Sequence, residues 1–167
     1  PAQIAIDPGL PKEKHMRWAA LLRHQAPEEA VAILRQLKLD NDTINRVKTL
    51  VQWWKRPIGA DQTQIRKTMS QMAPELYDDL LVLKTSVGEL ELQAEGCVED
   101  LDWVKTQSRE IRQRGDCVSL KELAVTGADL IQSGMKPGKE LGETLKRLLE
   151  LVLEHPEWNT KEILKKV

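Results

Sequence analysis

A chain of 167 residues, 41% hydrophobic and 31% charged, is long enough for one sizeable core or two small helical lobes, which excludes a multidomain catalytic machine. Its formal net charge of -1 excludes a global pull toward nucleic acid, so any polyanion must be met by a local patch. No apolar run of eighteen residues and no signal-peptide pattern is present, and Cys97 and Cys117 form no Cys-x-x-Cys pair, so the expectations are a cytoplasmic protein without membrane span, disulfide framework or metal site.

The predicted elements follow one another with little room for strands. Pro11 opens a helix to about His24 with Trp18, Leu21 and Leu22 inward, and Pro27 opens a second ending near Leu37, with Ala30, Ile33, Leu34 and Leu37 inward. Asp40 or Asn41 caps a third helix that buries Ile44, Val47, Leu50, Val51 and Trp54 and is halted by Pro57 and Gly59. Asp61 caps a fourth carrying Ile65, Met69 and Met72, and Pro74 starts a fifth through Leu76, Leu80 and Leu83.

Beyond Ser86 the apolar positions Leu90, Ala94, Cys97, Leu101, Val104, Ser108 and Ile111 alternate in steps of four and three, which predicts one long heptad-patterned helix ended by Gly115 and Asp116. Its seam is expected to lie along neighbouring helices of the same chain, with zipping onto a second copy as the alternative. Ser119 with Glu122 has the capping-box pattern of a short helix, Thr126 with Asp129 starts another, and Gly134 stops it in the left-handed position. Pro137 begins a long helix to about His155, and Asn159 with Glu162 caps a last one. The fold class is all-α: a helical body over 1–85, a long helix over 86–118 and a helical tail over 119–167. With phenylalanine absent and Tyr77 alone, the five tryptophans are expected as core pegs.

Charge is segregated along this order. Residues 12–56 hold ten Lys and Arg against five acids, and residues 75–102 hold nine acids against one Lys, which permits a basic face toward an anionic partner. Lys136-Pro-Gly-Lys139 surrounds a helix start with two ammonium groups, where unpaired backbone N–H groups and the positive dipole end favour an anion and Gly138 allows close approach. Lys146 and Arg147 extend that candidate phosphate track, while Glu140 and Glu143 oppose it. Trp53-Trp54-Lys55-Arg56 combines rings with cations; Trp54 continues the apolar stripe, leaving Trp53 as the ring able to stack. Asp100 and Asp102 flank Leu101 of the seam and point sideways rather than converging on metal. His15, His24 and His155 are scattered without a His-Asp pair or a His-Glu-x-x-His array. No catalytic residue is expected.

Leu123-Ala-Val-Thr-Gly-Ala-Asp-Leu-Ile131, Gly134, Pro137-Gly138, Leu141-Gly142, Leu145, Leu148 and Leu149 resemble the C-terminal region of bacterial CCA-adding tRNA nucleotidyltransferases, within the poly(A) polymerase-like family. Arg17-Trp-Ala-Ala-Leu-Leu22 and Leu34-Arg-Gln-Leu-Lys-Leu39 resemble the helical body of the same enzymes more loosely. The resemblance covers 119–167 closely and 14–85 weakly. It implies that a head and neck outside these residues bind magnesium with CTP or ATP and perform the transfer, while body and tail hold tRNA. Glu99-Asp-Leu-Asp-Trp103 starts like the neck's nucleotide-selecting motif, but Trp103 stands where arginine is required and the segment follows the body, so the likeness is coincidental.

Starting at Pro1 without an initiator methionine, the chain reads as a segment of a longer protein. The leading expectation is a tRNA-docking region without cofactor or catalysis of its own. The competing one is a helical scaffold or homodimer built on the Leu90–Ile111 seam.

Overall fold

The computed structural model describes residues 10–94 and 99–166, with the backbone alone for 87–94. Every regular element among the described residues is helical: α1 (Lys14–Leu22), α2 (Pro27–Gln36), α3 (Asn41–Trp53), α4 (Gln62–Ser70), α5 (Pro74–Ala94), α6 (Leu101–Arg114), α7 (Gly127–Gln132), α8 (Lys139–Glu154), a 3-10 turn (Pro156–Trp158) and α9 (Lys161–Leu164). The all-α expectation therefore holds. Among the described residues no helix is long and apolar enough to cross a membrane.

The chain divides into two compact units, Pro1–Ala60 with Met72–Lys105, and Asp61–Gln71 with Thr106–Val167. The sequence reading groups α4 with the N-terminal body, whereas α4 folds with the C-terminal segment.

In the first unit α3 packs against α1, α2 and α5. Its inward stripe of Ile44, Val47, Leu50, Val51 and Trp54 is buried as the 3.6-residue period predicts, together with Met16, Ala19, Leu34, Tyr77, Leu80 and Leu83. Asp40 caps α3 by accepting from the Thr43 N–H at 2.8 Å, the bond its short acceptor side chain suits. The phase of α1 differs from expectation: Met16, Ala19, Ala20 and Leu22 face inward, and Leu21 is 44% exposed. Leu37 is 52% exposed because it is the C-cap of α2 rather than part of its face. The α2 terminus closes with Lys38 N–H donating to Arg35 O and Leu39 N–H to Leu34 O, which places Lys38 at φ 57° in the left-handed region.

The heptad seam does not run along one helix. Glu99 and Asp100 are non-helical, and the Asp100 carboxylate accepts from the Trp103 N–H at 2.9 Å, capping α6 as a new start. Leu101, Val104, Ser108 and Ile111 are buried within the single chain; the side chains of Leu90 and Ala94, and Cys97 altogether, lie outside the described residues. Of the five tryptophans only Trp54 is a core peg at 1% exposure; Trp18, Trp53 and Trp158 are half-buried and Trp103 is exposed.

In the second unit α8 packs against α4, α7 and the 3-10 turn. A cluster of Cys117, Leu123, Val125, Leu130, Leu148, Val152 and Leu164 forms its core, with Met135, Leu141, Leu145 and Leu149 packed on the rim. Asp61 caps α4 and the reciprocal pair Thr126 and Asp129 caps α7, as predicted. Gly134 takes φ 100° after α7, also as predicted. Two other caps differ. Ser119 and Glu122 do pair, the hydroxyl donating to the carboxylate at 3.0 Å, but around a turn rather than a helix. Asn159 instead clamps the chain, accepting from the Ala124 N–H at 2.8 Å and donating to Glu122 O at 3.0 Å, and Thr160 caps α9.

Candidate nucleic-acid interface

The start of α8 is built by the segment after Gly134. Met135 packs on the core and Leu141 packs one turn into the helix, so the intervening residues are pinned at both ends. Lys136, Pro137, Gly138, Lys139 and Glu140 between them are all exposed. The helix begins at Lys139, two residues later than Pro137 suggests, because Gly138 serves as N-cap at φ 156° and ψ -162°. That conformation is open essentially to glycine alone.

Glycine at this position leaves the first-turn amides of α8 without a side-chain cap, so their N–H groups and the positive helix end face outward unsatisfied by side chains. A Cβ placed on Gly138 would meet nothing within 4 Å, which marks open space directly beside the main chain. The Lys139 ammonium, 91% exposed, stands 3.6 Å from the Glu143 carboxylate, a solvent-screened pair too weak to hold it against a competing anion.

Lys146 and Arg147 are exposed farther along α8, but so are Glu140, Glu143, Glu150 and Glu154. The helix body is thus charge-mixed. The structure brings Lys136, Gly138 and Lys139 together at one end and leaves Lys146 and Arg147 as separate cations among acids.

Asp100, Asp102, Cys117 and His155 hold structural positions. Asp100 is the α6 cap, and the Asp102 side chain is 96% exposed beside Lys105. Cys117 is buried, donating to Ser119 O at 3.3 Å, and burial pushes its thiol up to about 11. The ring of His155 stacks on Trp158 at 4.1 Å between centroids.

Three arrangements escape sequence reading because they join distant positions. His15 and Asp79 do pair, Nε2 to Oδ2 at 2.7 Å, tying α1 to α5, although neither sits in a local His-Asp pattern. Arg66, 4% exposed, donates from Nε to Leu153 O at 2.7 Å and lies 3.3 Å from Asp116. Lys84 and Glu99 meet in the first unit around the turn that follows α3. The only sequence signal for any of them is a charge at an otherwise apolar phase of a helix.

The family model for tRNA nucleotidyltransferase domain 2 matches residues 11–167. No curated protein and no solved structure matches the chain.

Proposed function

The chain belongs to the tRNA nucleotidyltransferase domain 2 family, and from that premise we propose that it docks tRNA by its sugar–phosphate backbone for 3'-end maturation, in cytoplasmic CCA addition. Nucleotidyl transfer itself, with magnesium and CTP or ATP, belongs in this reading to head and neck regions of the same protein outside these 167 residues. The chain's part is to hold and orient RNA.

The observation that carries the reading is the α8 start. Uncapped first-turn amides, Lys136, Lys139 and the open approach at Gly138 supply backbone donors and cations on one exposed, pinned segment. Lys146 and Arg147 would offer further phosphate contacts on the same helix, each set among acids. Such contacts position a backbone without reading bases, as a protein serving every tRNA requires. The dimer alternative finds less support, since the described seam residues Leu101, Val104, Ser108 and Ile111 are already covered within one chain.

Filter binding of an unmodified tRNA transcript over a salt series tests the proposal. Binding at low salt with a negative log–log slope is expected, and Lys136→Ala with Lys139→Ala should reduce that slope by roughly 1.5. Absence of binding at low salt refutes the docking role.

A further inference from the structure

The outward side of α3 differs from that of α8. From Thr43 to Arg56 the sequence has four cations, Arg46, Lys48, Lys55 and Arg56, and no acid. At its start, Asp42 accepts from the Arg46 guanidinium at 2.8 Å, and the cap carboxylate Asp40 is engaged by Lys14 at 2.7 Å and by the Thr43 N–H at 2.8 Å. Asn45, Lys48 and Gln52 are exposed in steps of three and four residues, so they form one stripe that alternates amide and ammonium groups. Trp53 is half-exposed beside the end of this stripe, and the Arg56 guanidinium sits over its ring at 5.3 Å from the centroid.

The Arg56 end is backed by buried structure. Lys84, 1% exposed, donates to the backbone carbonyl of Arg56 at 2.6 Å, and Glu99 accepts from the Ile58 and Gly59 N–H groups at 2.6 and 2.9 Å. The turn carrying Arg56 is therefore fixed from inside, and its guanidinium is presented from a set point rather than a floppy end. A planar cation over an indole offers a flat surface for an aromatic base, and the amides offer donors and acceptors to base edges and ribose. A membrane or an apolar partner helix would need apolar side chains where this stripe has Asn, Lys and Gln.

We infer that the Asn45–Arg56 face of α3 is a second RNA surface, one that takes an unpaired strand by tracking its phosphates with Lys48 and Arg56 and stacking a base on the Trp53–Arg56 platform. It rests on the RNA-docking reading above and adds to it a place, on the other structural unit, and a preference for unpaired over duplex RNA.

The test is fluorescence anisotropy of the 167-residue chain with a labelled twelve-nucleotide single-stranded RNA and with a blunt RNA duplex of the same length. Trp53→Leu should weaken single-strand binding about fivefold or more and leave duplex binding within about twofold. Lys48→Gln with Arg56→Gln should weaken both and lower the single-strand salt slope by about 1.4. Arg56→Lys should restore the slope and not the single-strand preference, and this exposed variant decides the matter if Trp53→Leu fails to fold by circular dichroism. Equal effects of Trp53→Leu on both RNAs, or none on either, overturn the inference. Failure of the wild-type chain to bind any RNA overturns this and the docking proposal together. Loss confined to the Lys136 and Lys139 variant, with the α3 variants like wild type, removes the α3 surface alone.

Discussion

The ammonium of Lys84 lies 3.5 Å from the Glu99 carboxylate with the two side chains 2% and 11% exposed, and each partner also holds the backbone of the turn after α3, Lys84 at Arg56 O and Glu99 at the Ile58 and Gly59 amides. A buried ion pair with both ends further hydrogen-bonded is the kind whose loss on one side is costly, because the remaining charge stays in low dielectric. Lys84→Met should destabilise the chain by about 3 kcal/mol, read as a lower urea midpoint. Adding Glu99→Gln should cost less than the sum of the single changes; additive losses would show that the pair does not act as a unit.

Lys38 is a lysine in a backbone conformation that suits glycine, at φ 57° after α2. Both hydrogen bonds of the turn use main-chain atoms only, so nothing but strain is lost with the side chain. Lys38→Gly should raise stability by about 1 kcal/mol and lift the thermal midpoint. An unchanged or lower midpoint would mean that Lys38 makes a contact that offsets the strain.

The two cap carboxylates Asp129 and Asp40 predict an acid limb. The Thr126 backbone N–H and hydroxyl, with Lys161, hold Asp129 well below the usual carboxylate range, and Lys14 with the Thr43 N–H and hydroxyl does the same to Asp40. A depressed folded-state pKa stabilises fully above the unfolded value of about 3.9 and ceases to as pH falls through the lower folded value. Asp129→Asn should therefore be less stable than wild type at pH 7, with the gap closing toward pH 2. Urea midpoints at pH 7, 4 and 2.5 check this, and a gap constant with pH would contradict the linkage.

Burial that pushes the Cys117 thiol up to about 11 leaves little thiolate near neutrality. Alkylation at pH 8, followed by peptide mass mapping, should label Cys117 roughly tenfold or more slowly in the folded chain than in urea. Fast native labelling would place Cys117 outside the core that Leu123, Val125 and Leu148 form.

The caps show how far local chemistry reaches. Asp40, Asp61, Thr126 with Asp129, and Gly134 act where sequence reading puts them, because each bond spans only a few residues and depends on local geometry alone. Asn159 has the same local credentials and is diverted, since Ala124 and Glu122, 35 and 37 residues away, offer it a backbone donor and a backbone acceptor that are paired with nothing nearer in sequence. The seam fails for a related reason: a four-three apolar spacing describes which residues are buried, as Leu101, Val104, Ser108 and Ile111 are, but it is blind to the non-helical Glu99 and Asp100 just before them. Of the candidate site, Lys136, Gly138 and Lys139 were legible as a cluster because they are contiguous. The Trp53–Arg56 platform was legible in part: the apolar stripe through Trp54 leaves Trp53 as the outward ring, whereas the seating of the Arg56 guanidinium over it depends on the turn that tertiary contacts fix.

The sequence by itself therefore determined the all-α class, most helix starts and stops, and the family, each of which is written in short-range spacing or in an ordered series of residues such as Leu123–Leu149. Tertiary structure alone decided which charges became interior and which stayed at the surface. The side chains of Arg66, Lys84 and Asp116 are taken out of water while Lys48, Lys136 and Lys139 are exposed, and nothing in the residue types separates the two groups. The difference arises from partners 15 to 87 residues distant, Glu99 for Lys84 and Leu153 O for Arg66. Only when the chain has closed on itself can such a partner offset the cost of removing a charge from water.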